Sequence, residues 1–470
     1  MTQAEGLLRI ACAISLLLSF ELAAVSSSDK PCENSTLLSQ AFDLARNVSD
    51  LQQRDYLISE IATARLQGGD IEGAASTAMT LQQESYRQLF FEDGALKLAV
   101  SGKFAVARPL LSKIPGDHQR TLEEIAVLQA QSGDVDGALK AAESLGPGAR
   151  YRILNAKAEG ELDRGDLKAA LATASSLRLP DDEFLWELAY AQAKAGNLQA
   201  ARQAGMRIQD AGMKSDIPRQ IVRGYSDAGD FAAALQVATK LSPDLRRRVL
   251  CEIAEAQLKA GNKQAAQNTF SEAIRLALRI RNVGARGNSL GQIAKSQLGS
   301  GVEPTALQEM RKLAEDPAYK PNLSSLAAAE REYGNLENAE KLYLKSEEWG
   351  GAALVETERG DVARALEAAQ KSSANPANVS YTISQMAVVR ARHSDYSSAL
   401  VLLPKIRIQG KDFEESYLAD SLRKIVRGKA KEGGASEAIK WVNEQASAYA
   451  RSDGLIGIAE GILESCSPKK

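Results

Sequence analysis

Only two histidines, His118 and His393, occur in the 470 residues. Imidazole exchanges protons near neutral pH and is the commonest metal ligand, so this scarcity excludes a histidine-rich metal centre and weakens any histidine-based triad. His118 follows Pro115 in a loop and His393 stands beside a Ser-Asp turn, which predicts surface or turn roles for both. Two pairs of neighbouring carboxylates, Glu123 with Glu124 and Asp181 with Asp182, have the residue types of an acid/base pair. Both fall on predicted helix starts, where a carboxylate complements the helix dipole. The runs Gly146 to Gly148 and Gly350 to Gly351 lack the Lys-Ser/Thr ending of a phosphate loop and read as turns. No catalytic, cofactor or metal site is predicted.

One polar series does recur. Arg54, Arg87, Arg150, Arg246 and Arg286 each stand fifteen residues ahead of a turn, near the start of a predicted helix. The helix dipole disfavours a cation there, so the recurrence needs a reason. One reading is a structural ladder in which each guanidinium pairs with a carboxylate or caps carbonyls of the preceding repeat. The other is a row of bidentate donors along a groove that binds a carboxylate-bearing peptide or envelope polymer.

The elements that must carry this ladder show in the alanines. Counting from the Gly of each Gly-Asp or Gly-Asn turn, or its substitute, the fifth residue is Ala74, Ala107, Ala138, Ala170, Ala201, Ala234, Ala266, Ala306, Ala339, Ala365, Ala399 or Ala438. Seven residues before the turn stand Ala62, Ala95, Ala126, Ala158, Ala189, Ala254, Ala294, Ala327, Ala353 and Ala387, with Val222 and Val426 in the two gaps. Glycine ends one helix in the left-handed conformation, and the Asp or Asn after it caps the next. Small residues on either side let the two helices cross closely. A period mostly of 31 to 34 residues then means stacked helical hairpins.

The unit around Gly261, with Leu250, Ile253, Ala254 and Gln257 before the turn and Ala266, Phe270 and Ala273 after it, resembles a tetratricopeptide repeat. Other units depart from that family in a regular way. Nine residues after the turn they carry Ala78, Ala142, Ala174, Gly205, Ala238 or Ala369 in place of an aromatic, and none has the family's Trp or closing Pro. The resemblance implies an all-α, right-handed α-solenoid of about twelve antiparallel helix-turn-helix repeats with capping helices. It also implies a concave surface of first helices that accepts a peptide or partner protein. The departures predict a slimmer, often shorter second helix.

The expected organisation is a signal peptide at 1–27, an N-terminal capping segment at 28–50, repeats at 51–300 and 301–450, and a C-terminal capping helix and tail at 451–470. Turn intervals of 40 residues after Gly261, 26 after Gly334 and 39 after Ser394 break the period, and Pro304, Pro317 and Pro321 mark a seam from Gly301 to Leu323. The helices at Thr36 to Val48 and Gly454 to Glu464 are expected to cover the two ends of the stack. Arg9, the apolar run Ile10 to Phe20 and the small residues to Ser28 predict export, with cleavage after Ser26 or Ser27. The run is too short to span a bilayer, and an uncleaved anchor is the competing reading. Cys32, Cys251 and Cys466 would remain after cleavage; an extended stack separates Cys32 from Cys466 by on the order of 100 Å, so a bridge between them requires the superhelix to close. With 58 basic and 60 acidic residues the chain has no overall field to hold a polyanion, which argues against nucleic acid. The expected function is that of an exported, periplasmic or extracellular, non-enzymatic scaffold binding protein or peptide, without cofactor. The alternative is a protein that binds or cleaves a cell-envelope polymer.

Overall fold

The computed structural model describes residues 35–466 apart from 144, 146, 147, 176–181, 300, 302, 303, 407–412 and 446. The signal segment, Cys32, Gly146 and Asp181 lie outside the described residues. Among those described, all regular secondary structure is helical.

The turns explain the hairpins. Eleven turn glycines from Gly69 to Gly433 have positive φ, and Ser394 takes the same region at 57° in the one unit without glycine. At the first turn Gly69 N–H donates to Leu66 O and Asp70 N–H to Arg65 O, which satisfies carbonyls left open at the helix end. Asp70 then accepts from Gly73 N–H at 2.9 Å and starts the next helix. Asp134, Asp230, Asp361 and Asp395 repeat this cap.

Packing explains the alanines. Every residue of both small series, including Val222 and Val426, has no exposed surface. A larger side chain at these crossings would have to push two backbones apart. Most second helices are short, as in Ile71–Ala78, Val135–Ala142 and Phe231–Ala238 with eight residues each. The helix Lys263–Leu278, which carries Phe270, runs to sixteen. Some first helices meet each other at backbone distance: a Cβ on Gly224 would lie 2.5 Å from Tyr190 O.

The described residues form two compact units, 92–355 and 35–91 with 356–466. Within 92–355 the proline-rich seam is tightly filled. Pro304 precedes the helix Thr305–Leu313, and the 3₁₀ turn Pro317–Asn322 drives Tyr319, fully buried, against Gly287, where no side chain would fit.

The other unit joins the first and last of the described helices. Ser35–Ala45 packs on Leu51–Gln67 and on Ala448–Cys466, and the last of these also packs on Phe413–Lys431 and Ala435–Asn443. The C-terminal helix is therefore longer than expected and not amphipathic: every residue from Ser452 to Ala459 is buried, since helices surround it. The terminal helices cover each other, where the sequence had led us to expect two separate stack ends. Arg423 ties this packing together, with its guanidinium 2.7 Å from Glu60, 3.0 Å from Asp453 and 2.6 Å from Glu460.

Candidate functional site

The longest turn interval makes the candidate site. The second helix Lys263–Leu278 buries Phe270, Ala273, Ile274 and Ala277 along its inner face, and so keeps a full-length body beside the first helices Pro243–Lys259 and Val283–Gly299. Where Gly224 lets first helices touch, these two leave a cleft of about 650 Å³ lined by Glu255, Leu258, Lys259, Gln292, Lys295, Ser296 and Gly299.

Helical spacing puts Arg247, Cys251, Glu255 and Leu258 on one stripe, opposite a second stripe of Gln292, Ser296 and Gly299. Arg247 is almost fully buried; it donates to Asp244 at 3.1 Å and across to Gln292 Oε1 at 3.2 Å. Ser296 Oγ donates to Glu255. Past these two bridges the ammonium groups of Lys259 and Lys295 stand exposed beside half-buried Leu258. Burial pushes the Cys251 thiol up to about 12, against the pull of Arg247, so it stays neutral and is a poor nucleophile. Two exposed cations, an aliphatic wall and amide and hydroxyl groups can hold a carboxylate and the chain on either side of it. A smaller apolar cleft of about 400 Å³ lies over Ile217, Pro218 and Ile221, with exposed Met206 on its rim.

The structure places four of the five arginines, Arg54, Arg87, Arg246 and Arg286, on neighbouring chain. Arg54 donates to Gln82 Oε1 at 3.0 Å and Arg246 to Glu272 at 2.9 Å. Arg87 and Arg286 donate to the carbonyls of Leu81 and Ile280, just past the end of the preceding second helix, at 3.3 and 2.9 Å. Arg150 is exposed.

Two of the neighbouring acids are inter-repeat fasteners: Glu123 accepts from Arg152 at 2.7 Å, and Asp182 accepts from the backbone N–H groups of Gln209 and Asp210 at 2.9 and 2.7 Å. Asp55 does the same for Gln82 and Gln83 at 3.1 and 2.7 Å. Both aspartates stand fourteen residues before a turn, a signal beside the arginines that sequence reasoning passed over. His393 is exposed at its turn, as expected. The His118 side chain, by contrast, is buried, with its ring nitrogens 3.4 Å from Glu92 and 3.3 Å from Ile114 O; a preceding glycine, Gly116, lets the loop fold it inward.

These hairpins, with left-handed turns and small residues at every crossing, define an all-helical repeat protein. No family model matches the chain. It is 26% identical over 191 residues to the intraflagellar transport protein 172 homolog of Drosophila melanogaster, a match that covers 41% of this chain and 10% of that protein. The chain thus spans a tenth of the length of this relative. Among solved structures it is similar to Naa15/Naa10 bound to HypK-THB, at 15% identity and a TM-score of 0.36, over 87% of this chain and 75% of that one. It is also similar to the maize pentatricopeptide repeat protein PPR10, at 14% and 0.27 over 91% and 78%. The human IFIT1 dimer with m7Gppp-AAAA matches at 13% and 0.21 over 87% and 94%.

Proposed function

We propose that this chain is an exported, non-enzymatic scaffold that binds an extended protein segment along its first helices, and that the cleft between Pro243–Lys259 and Val283–Gly299 anchors that segment. The observation that carries the reading is the cleft itself. It is a gap between first helices, which touch at backbone distance at positions such as Gly224, and its mouth holds Lys259 and Lys295 beside Leu258. The segment it fits presents an Asp or Glu side chain next to an aliphatic one. Export rests on the residues from Arg9 to Ser28. We read the arginine series as structural, because Arg87 and Arg286 spend their donors on carbonyls of the adjacent turn.

The test is mass spectrometry of what stays bound to the tagged mature protein in its native extracytoplasmic fraction, with the Lys259→Glu/Lys295→Glu double variant run in parallel. One or a few stoichiometric proteins, retained at least about tenfold less by the variant, support the reading. Partners held equally by both proteins refute the cleft as anchor. Glycan fragments without a protein favour the polymer-binding alternative.

A further inference from the structure

The smaller cleft, of about 400 Å³, shares no residue with the one at Lys259 and Lys295 and is built from different elements. The second helix Leu198–Arg207 lines one side, and the end of the second helix Phe231–Ala238 with Lys240 and Leu241 lines the other. Between them the first helix Ala211–Asp227 supplies Ile217 and Ile221, both buried, and the ring of Pro218. Gly205, nine residues after the Gly196 turn, makes the space: a Cβ there would lie 2.5 Å from Ile217 Cγ2, and any larger side chain would stand in the cleft it lines. Val237 and Leu241 continue the apolar surface, and exposed Met206 gives the rim a side chain that adapts to what it covers.

Three cations border this apolar surface, and among the described residues no carboxylate lines it. Lys214 is held in place. Its ammonium donates to Met206 O and Ile208 O, both at 3.1 Å, which ties off the end of Leu198–Arg207 and leaves one of its three protons. Arg202 and Lys240 are exposed and have no ion pair among the described residues.

The lining decides between occupants. Arginine and lysine side chains donate hydrogen bonds and accept none, and the rest of the lining is apolar apart from a weakly accepting thioether. A peptide strand would bring N–H groups into the cleft with no side-chain acceptor to meet them, and burying such groups unmatched is costly. A helix is too large: with side chains it is about 10–12 Å across, so two turns fill on the order of 900 Å³. An alkyl chain has no polar group to satisfy and gains by covering apolar surface. A carboxylate at its end offers only acceptors, which match a rim that offers only donors.

We infer that this cleft binds a fatty-acid anion, its chain along Ile217, Ile221 and Val237 and its carboxylate among Arg202, Lys214 and Lys240. The site is independent of the segment anchor proposed above, because second helices form its walls and none of its cations belongs to the other cleft.

The test is calorimetry of the full chain with decanoate, with butyrate as the same head without the chain, and with decyltrimethylammonium as the same chain with the opposite charge. Each is kept below the concentration at which it forms micelles. Decanoate should bind saturably and at least about tenfold tighter than either of the others. Arg202→Glu/Lys240→Glu alters two exposed side chains, so it should melt as wild type does while binding decanoate at least about tenfold more weakly. Arg202→Gln/Lys240→Gln, which removes the charges without reversing them, should weaken binding in the same direction. Lys259→Glu/Lys295→Glu should bind decanoate as wild type does. No saturable binding of decanoate, equal binding of decyltrimethylammonium or butyrate, unchanged affinity in the Arg202/Lys240 variants, or loss of binding in the Lys259/Lys295 variant would each overturn the inference.

Discussion

The same substitution, glycine to alanine, should act with opposite sign at two places in residues 92–355. Gly160 lies on Ala149–Asp163, where a Cβ would sit 2.9 Å from Gln131 Cα, 3.0 Å from its carbonyl carbon and closer still to its oxygen. All three are backbone atoms, so no side chain can swing aside, and the two first helices must part by about 1 Å, an overpacking cost of roughly 1–3 kcal/mol. That movement also stretches the 2.9 Å bond from Arg164 to Gln131 O, a contact of order 1 kcal/mol. Alanine returns about 1 kcal/mol of helix propensity, which leaves a net loss of about 1–3 kcal/mol. Gly291 on Val283–Gly299 is the control: its Cβ would meet the end of the Met310 side chain, Cε at 3.6 Å and Sδ at 4.0 Å, both ordinary contacts. Gly291→Ala should therefore gain about 0.5–1 kcal/mol. For a body of this size these values correspond to a melting point lower by about 2–10 °C for Gly160→Ala and higher by a few degrees for Gly291→Ala. Calorimetry with parallel urea melts would measure both. Shifts in the same direction would refute the claim that backbone contact between first helices sets the sign.

Three further outcomes are expected. Burial raises the Asp453 carboxyl to about 6, with Arg423 pulling the other way, so the native state holds the proton more tightly than the unfolded chain. Its stabilising contribution is full below the unfolded value near 3.9 and is lost as pH rises through about 6, so the melting point of wild type minus that of Asp453→Asn should fall between pH 4.5 and 7. Cys251 should react with iodoacetamide at pH 8 at least about a hundredfold more slowly in the native protein than in urea, as a thiol raised to about 12 carries almost no thiolate. The Tyr319 hydroxyl is buried without a hydrogen-bond partner among the described residues, so Tyr319→Phe should keep the ring packing and match or exceed wild-type stability in urea melts.

The hairpins were legible because their key positions admit one kind of residue. A left-handed turn selects glycine, and a crossing at backbone distance selects alanine, so Gly133 and Ala138 announce their geometry directly. The cleft was only half legible. The 40-residue interval and Phe270 were visible, but whether the added residues lengthen a helix or a loop depends on Ile274 and Ala277 finding a surface to bury against, which local spacing does not encode. The terminal helices were misread as separate caps for a related reason. Their alanines keep the period, yet neither end has a turn glycine, and the bond from Ser452 to Ala41 joins positions 411 residues apart. His118 was misplaced because Gly116 gives its loop a conformation that composition alone does not reveal.

Because Ser35–Ala45 is completed by Ala448–Cys466, the first of the described helices to be synthesised must wait for the last of them. At about 5–20 residues per second, the roughly 400 residues between them take about 20–80 s to make. Throughout that interval Leu38, Ala41 and Ala45 have no C-terminal helix to cover them, while residues 92–355 already contain everything needed for their own core. The order of synthesis thereby lets residues 92–355 fold first, whereas Ser35–Ala45 becomes native only when Ala448–Cys466 arrives.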